Sequence, residues 1–195
     1  MGEAALKLTY SIQEYLEIEQ NSNEKYEYLA GEIFAMAGGT LNHSLISSNF
    51  IRSASNSIIK KSKTCRTYGS DAKIASSDED FHYADAFVIC GKTEVYPENP
   101  QAAKNPILIV EVLSPTTESY DRGAKFQYYQ NIETFKEYIL VSQDKILVEV
   151  FYKPENTHFW QYRAYKQLDD VIELKSIDCE ITVNDIYLNW EKETV

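Results

Sequence analysis

Cysteine, proline and glycine are all scarce in this chain of 195 residues, which has 3 Cys, 5 Pro and 7 Gly. The cysteines, Cys65, Cys90 and Cys179, are odd in number and widely spaced. That spacing excludes a CxxC zinc or redox motif and a Cys/His metal pattern. It leaves the reading of reduced thiols in a cytoplasmic protein. So few Gly and Pro exclude a low-complexity linker. No apolar run approaches the ~20 residues that span a bilayer. The N-terminus has no apolar signal core, and Met1-Gly2 is not followed by the Ser or Thr of a myristoylation signal.

Positive charge is also short. Lys and Arg number 19 against 30 Asp and Glu, a net charge of −11. A global field that would draw in nucleic acid is therefore absent. One window departs from this: Arg52, Lys60, Lys61, Lys63, Arg66 and Lys73 surround a single acid, Asp71. It is the candidate phosphate-contacting patch. The alternative is a solvated helix end, where the helix dipole favours lysines.

What the chain has in quantity is apolar and aromatic residues, 44% hydrophobic with 15 Tyr. This suffices for one domain over residues 1–195 and favours a mixed or β-rich fold over a helical bundle. A first helix is expected from Thr9, as N-cap, to about Gln20. Residues 26–36 read as a β-hairpin turning at Ala30-Gly31, with Leu29 opposite Glu32 and Glu27 opposite Phe34. Glu27 and Glu32 then share one face, either an exposed edge or a site that attracts a cation. A second helix is expected over Leu41 to Lys60, with Leu41, Leu45, Ile46, Ile51, Ala54 and Ile58 as its core stripe. His43 sits in its first turn, where the dipole favours a neutral imidazole.

Short strands follow at Cys65–Tyr68 and Asp71–Ala75, then an acidic turn at Ser76–Asp80. Phe81–Cys90 reads as one strand with Tyr83, Asp85, Phe87 and Ile89 on a single face. Gly91–Lys104 is expected to be a polar loop. Ile107–Leu113 is a branched apolar run, a strand buried on both faces. A third helix, capped by Thr116 or Thr117, runs to about Asn131 with Asp121, Lys125 and Tyr128 or Tyr129 along one stripe. Residues 137–142, 147–153, 159–165 and 171–174 alternate like antiparallel strands. Ile181–Leu188 closes the chain as a strand end and a turn, and the polar tail is expected to fray.

Two carboxylates stand out. Glu111 lies inside the buried run, where a charge is costly unless it is paired or binds a cation. Asp85 sits among aromatic and apolar neighbours on the preceding strand, and Lys125 follows on the next helix. Hard divalent cations take one or two carboxylates, backbone oxygens and waters. Asp, Glu and Lys in this order therefore suit phosphodiester hydrolysis. Structural readings stand beside this one. Asp85 can pair with Lys125 or Arg122, Glu111 can hydrogen-bond a tyrosine, and Lys125 can support Asp121 across one helical turn.

The order Tyr83-Ala-Asp85, Ile109-Val-Glu111-Val-Leu-Ser-Pro115 and Asp121-Arg-Gly-Ala-Lys125-Phe-Gln-Tyr-Tyr129 resembles the Uma-two family of restriction-endonuclease-like proteins. These are common in cyanobacteria and belong to the PD-(D/E)XK nuclease superfamily. The resemblance extends to Tyr26-Glu-Tyr-Leu-Ala-Gly-Glu32, Met36-Ala-Gly-Gly-Thr-Leu-Asn-His43 and Glu137-Tyr-Ile-Leu-Val141, and so covers nearly the whole chain. It implies an α/β (mixed α+β) fold: a restriction-endonuclease-like central mixed sheet flanked by helices, with an N-terminal helix and hairpin and added C-terminal antiparallel strands. It also implies that Asp85 and Glu111 hold Mg²⁺ or Mn²⁺, with the Val112 carbonyl as third ligand. Glu27, Glu32 and His43 match family motifs and complete the catalytic set.

Two departures are visible. Ala84 replaces the Pro before the Asp, and Leu113 replaces the Lys two positions after the Glu. Leucine cannot act on water or phosphate; the resemblance implies that in this family the lysine has moved to the following helix, which makes Lys125 the candidate, and its long side chain can reach from a neighbouring element. The expected activity is a metal-dependent DNA endonuclease, in a homodimer that gathers two basic windows. The alternative is a member that keeps the fold without the reaction, as a DNA-binding or protein-interaction module. Paired carboxylates also suit a glycosidase, but this residue order does not suggest one.

Overall fold

The computed structural model describes residues 9–36 and 38–192. The Met1-Gly2 start, Ala37 within the motif ending at His43 and residues 193–195 of the tail lie outside the described residues. Helix α1 (Ile12–Gln20) begins two residues later than a Thr9 N-cap predicts. Ser11 caps it instead, because Ser11 and Glu14 satisfy each other's backbone N–H groups in a capping box. The hairpin β1 (Tyr26–Leu29) and β2 (Glu32–Ala35) has the expected register, Glu27 opposite Phe34 and Leu29 opposite Glu32. Ala30 (φ 47°) and Gly31 (φ 94°) give the paired left-handed residues that suit a two-residue turn. The next helix, α2 (Leu41–Lys60), is capped by the Thr40 hydroxyl. Its buried row is Ile46, Phe50, Ala54 and Ile58, an i, i+4 series, and Leu41 is 90% exposed. Of the expected stripe, Ile46, Ala54 and Ile58 lie on the buried face and Ile51 packs at its edge, while Phe50 joins them and Leu41 stands in solvent.

Strands β3 (Cys65–Gly69) and β4 (Lys73–Ala75) follow. The single strand expected over Phe81–Cys90 is two, β5 (Asp80–Tyr83) and β6 (Ala86–Cys90), and they belong to different sheets. Asp85 stands at the break. The expected loop at 91–104 contains β7 (Val95–Tyr96) and β8 (Asn99–Ala103), and β9 (Leu108–Leu113) is buried along its whole length. Helix α3 (Glu118–Tyr120) runs through a π-helical stretch (Asp121–Lys125) into α4 (Phe126–Tyr129). After it come β10 (Glu137–Ser142), β11 (Val148–Tyr152), β12 (Gln161–Tyr165), β13 (Val171–Leu174) and β14 (Cys179–Thr182). Val183–Ile186, expected as strand end and turn, is helix α5, opened by a capping box of Thr182 and Asp185.

Two six-stranded mixed sheets result, in the orders β2-β1-β5-β4-β8-β7 and β12-β11-β10-β9-β6-β3, beside the small pair β13-β14. Strands β10, β11 and β12 pair antiparallel, as their alternation suggested, while β10 runs parallel to β9. Along β9, side chains alternate between the two faces of the second sheet. Leu108, Val110 and Val112 pack against α2 and α5, while Ile109 and Leu113 pack into the aromatic layer of Phe126, Tyr129, Phe135 and Tyr138. Glu111 shares that second face. Helix α1 covers the first sheet through Tyr15, Tyr28 and Phe81.

Two expectations about the surface are corrected. Cys65 and Cys90 oppose one another in the β3–β6 register and are joined by a disulfide. Only Cys179 remains a free, buried thiol, so Cys65 and Cys90 are not the reduced thiols expected of a cytoplasmic protein. The basic window is also dispersed. Lys73 is buried against Glu19, Lys63 pairs with Asp178, and Arg66 caps the Gly91 carbonyl. The shared basic patch on which the dimer expectation drew is correspondingly reduced.

Candidate active site

The break between β5 and β6 places Asp85 where the second sheet's ladder stops. Ala86 is the last β6 residue paired with β9, opposite Val110. One step on, the Asp85 carboxylate takes over the ladder and accepts the Val112 N–H at 2.7 Å. Its own N–H points to Glu111 Oε2 at 3.4 Å. The two acidic residues are thus neighbours, Asp85 just before β6 and Glu111 inside the adjacent β9. Helix α2 holds Asp85 from two positions one turn apart: His43 Nε2 lies 3.2 Å from Asp85 Oδ2, and Ser47 Oγ donates to the Asp85 carbonyl at 3.0 Å. Gly39 makes room for this, since a Cβ there would come within 2.8 Å of His43 Nδ1.

Lys125 reaches the same place from the π-helical stretch. Its ammonium lies 3.1 Å from Glu111 Oε1, 3.5 Å from Glu27 Oε1 and 3.7 Å from Asp121 Oδ1. It also donates to the Tyr83 carbonyl at 2.9 Å. Glu27 on β1 accepts the Tyr83 N–H at 3.1 Å and the Tyr120 hydroxyl at 3.2 Å. Tyr129 donates to Glu111 Oε1 at 2.9 Å. Four carboxylates, Glu27, Asp85, Glu111 and Asp121, therefore surround one lysine.

Depth divides the cluster. Glu111 and Lys125 are buried, while the side chains of Asp85 and His43 are 17% and 19% exposed. Asp85 and His43 form the solvent-facing side. Burial, with the nearby Asp121 and Asp85 charges, pushes the Glu111 carboxyl well above the usual range, against the opposing pull of Lys125. Burial likewise raises Asp121. Lys125 is held protonated: burial works against its charge, but Glu111, Glu27 and Asp121 outweigh it. His43 was expected to be neutral at a helix N-terminus. Burial does lower it, but the hydrogen bond and charge of Asp85 and a bond to the Val112 carbonyl raise it further, with a net upward shift.

Of the residues singled out in the sequence, Asp85, Glu111, Val112, Lys125, Glu27 and His43 come together here. Glu32 does not share their burial: it is exposed at the start of β2. Asp121, Tyr83, Tyr120 and Tyr129 also touch the cluster. Asp121 and Tyr129 carried a signal, the helical stripe with Lys125. Tyr83 headed the motif that ends at Asp85, but its part here is played by its backbone, which no side-chain pattern marks.

The donor set suits a hard cation. Asp85 and Glu111 supply carboxylate oxygens, the Val112 carbonyl lies within reach of His43, and the cluster carries excess negative charge. Among the described residues no three His, Cys, Asp or Glu side chains are disposed to hold an ion by themselves. Mg²⁺ does not need such a cage, since it retains waters beside one or two carboxylates.

A family model, Uma2, described as "Putative restriction endonuclease", matches residues 12–184. Two relatives come from Synechocystis sp. (strain ATCC 27184 / PCC 6803 / Kazusa), both described as "Uncharacterized protein". The first, slr1290, is 36% identical over 178 residues, covering 91% of this chain and 90% of its own. The second, sll1609, is 32% identical over 141 residues, covering 72% of this chain and 78% of its own. A crystal structure from Anabaena variabilis ATCC 29413, described as a "putative nuclease belonging to DUF820", matches with a TM-score of 0.69, covering 93% of this chain and 98% of its own. At 16% identity that likeness is one of fold.

Proposed function

The chain belongs to the Uma2 family, and from that premise we propose that it is a metal-dependent endonuclease that hydrolyses DNA phosphodiester bonds. The observation that carries the reading is the convergence of Asp85, Glu111 and Lys125, with Asp85 just before β6 beside Glu111 inside β9 and the ammonium 3.1 Å from Glu111. Asp85, Glu111 and the Val112 carbonyl would hold Mg²⁺ or Mn²⁺, which when bound lowers the pKa of a coordinated water and neutralises charge on the phosphoryl group. Lys125 stays protonated, so its role is a fixed positive charge that orients water or phosphate, not a general base. His43 and Ser47 hold Asp85 in place from α2. Glu27 and Tyr129 fix Lys125 and Glu111 from the sides.

The acidic surface of the chain, net −11, predicts weak and salt-sensitive attraction to DNA. Cleavage of supercoiled plasmid at low salt, with Mg²⁺ or Mn²⁺ added, tests the proposal. Wild type should nick or linearise it only with the metal. Asp85→Ala, Glu111→Gln and Lys125→Ala should each lose at least about 100-fold in rate, as expected when a positioned charge is removed from an active site. Intact plasmid with wild type, together with DNA retention in a low-salt mobility shift, would replace this reading with that of a non-catalytic DNA-binding module.

A further inference from the structure

The β1–β2 hairpin turns one face to α1 and the other to the acidic cluster. Tyr28 and Ile33 oppose one another and pack with Tyr15 of α1 and Phe81. Glu27 points the other way, to Lys125, Tyr120 and the Tyr83 N–H. Phe34 lies directly across the hairpin from Glu27. Directly opposed residues share a face, with Cβ atoms about 5 Å apart. The Phe34 side chain therefore stands beside the cluster, at its rim. It is 45% exposed, and among the described residues it joins none of the apolar clusters. Glu27 is buried, so the edge of the site passes between these two residues.

Ionic contacts offer little grip at this rim. Glu32, on the same face of the hairpin, is an exposed acid. Lys25 pairs with Asp71, Arg122 pairs with Glu118 and Glu149, and Lys125 is buried among carboxylates. A strand whose phosphate enters the site then gains from a contact that is not ionic. An exposed ring supplies one, because every base has a π-face to stack on it. Within a duplex that face is covered by the neighbouring pairs, so an unpaired base is the one that presents it. We infer that Phe34 is the stacking platform for an unpaired base beside the scissile phosphate, and that the site takes single-stranded DNA in preference to duplex. The identity of the strand rests on the nuclease reading. A protein partner calls for a contiguous apolar patch, whereas Phe34 shares its exposed surface with Glu32. Negative supercoiling favours strand opening, so supercoiled plasmid remains a substrate.

The test is fluorescence anisotropy of the intact protein with three labelled probes: oligothymidylate, its duplex with oligodeoxyadenylate, and an abasic strand of equal length. Ca²⁺ replaces Mg²⁺, and a gel checks that the strands stay whole. Wild type should bind oligothymidylate about tenfold more tightly than either other probe, the order of one base stack. Phe34→Ala should lose that factor on oligothymidylate and leave the duplex and the abasic strand unchanged. Phe34→Trp should match wild type, while Phe34→Leu, apolar but without a π-face, should behave like Phe34→Ala. The loss should be the same at about 50 and about 200 mM salt, since a stack releases no counterions. Equal wild-type affinity for the three probes, an equal loss on the abasic strand, or a Phe34→Leu protein that binds like wild type would overturn the proposal. The comparison of probes on wild type needs no variant, so a folding defect cannot imitate it. Binding is read without hydrolysis, so the two readings fail separately. Base-dependent binding without plasmid cleavage removes the nuclease reading, and cleavage with binding indifferent to Phe34 removes this one.

Discussion

Leu113 stands where the superfamily pattern has its lysine, and its side chain packs with Ile109, Tyr129 and Leu140 in the core between β9 and the helices. It points to the same side of the sheet as Glu111, two residues earlier, which is the side from which Lys125 arrives. The loss of one lysine and the candidacy of the other were legible through the family resemblance, and strand and helix periodicities agree with the faces they occupy. The partners of Glu27 were not legible. It binds a strand and a helix far along the chain, and only tertiary packing brings them together. His82 also escaped notice. It is fully buried, bonded through Nε2 to Ser76 Oγ at 2.8 Å and set against the Tyr128 and Tyr129 rings.

Burial, with help from the Lys125 charge, lowers the His82 pKa from 6.5 to about 3. The unfolded chain therefore binds a proton that the folded one refuses. Its contribution to stability is complete above pH 6.5 and is lost as pH falls toward 3, at about 1.4 kcal/mol per pH unit. Urea midpoints measured across that range should fall less steeply for His82→Phe than for wild type. Parallel pH profiles would show that His82 does not titrate in this way.

At the scale of elements, the hairpin was readable because Ala30-Gly31 interrupts two alternating runs and a two-residue turn fixes the register. The break at Ala84-Asp85 was not. Residues on both sides alternate alike, and the change of sheet is decided by which strands are available to pair. Strands β7 and β8 were hidden by Pro97 and Pro100, residues tolerated only at strand starts, edges or irregular pairings. The stripe of α2 was legible in Ile46, Ala54 and Ile58, but Phe50 was missed and Leu41 included, because several apolar residues fit helical spacing and only packing selects among them. Phe50→Ala should cost about 3–5 kcal/mol in chemical denaturation. Leu41→Ala, at the exposed start of the helix, should stay within about 0.5 kcal/mol. Equal costs would mean that the helix is rotated from the position described.

Across the molecule, the Cys65–Cys90 disulfide ties the edge strand β3 to β6, which begins next to Asp85. It closes a loop with a sequence separation of 25, for which chain-entropy reasoning gives a stabilisation of about 3 kcal/mol. Reductant should therefore lower the thermal midpoint of wild type and leave the Cys65→Ser/Cys90→Ser double variant unchanged. A wild-type midpoint indifferent to reductant would show that the bridge contributes nothing. The cysteine count alone gave no pairing, because two residues on distant strands become neighbours only through the register.

Tyr83 gives the fold a different kind of consequence. Its N–H and carbonyl serve Glu27 and Lys125, and its phenol serves Glu19 beside Lys73. A displacement of this one residue is felt on both sides of the first sheet. Any change that shifts the Glu19–Lys73 pair therefore bears on the placement of Glu27 and Lys125, and the reverse holds.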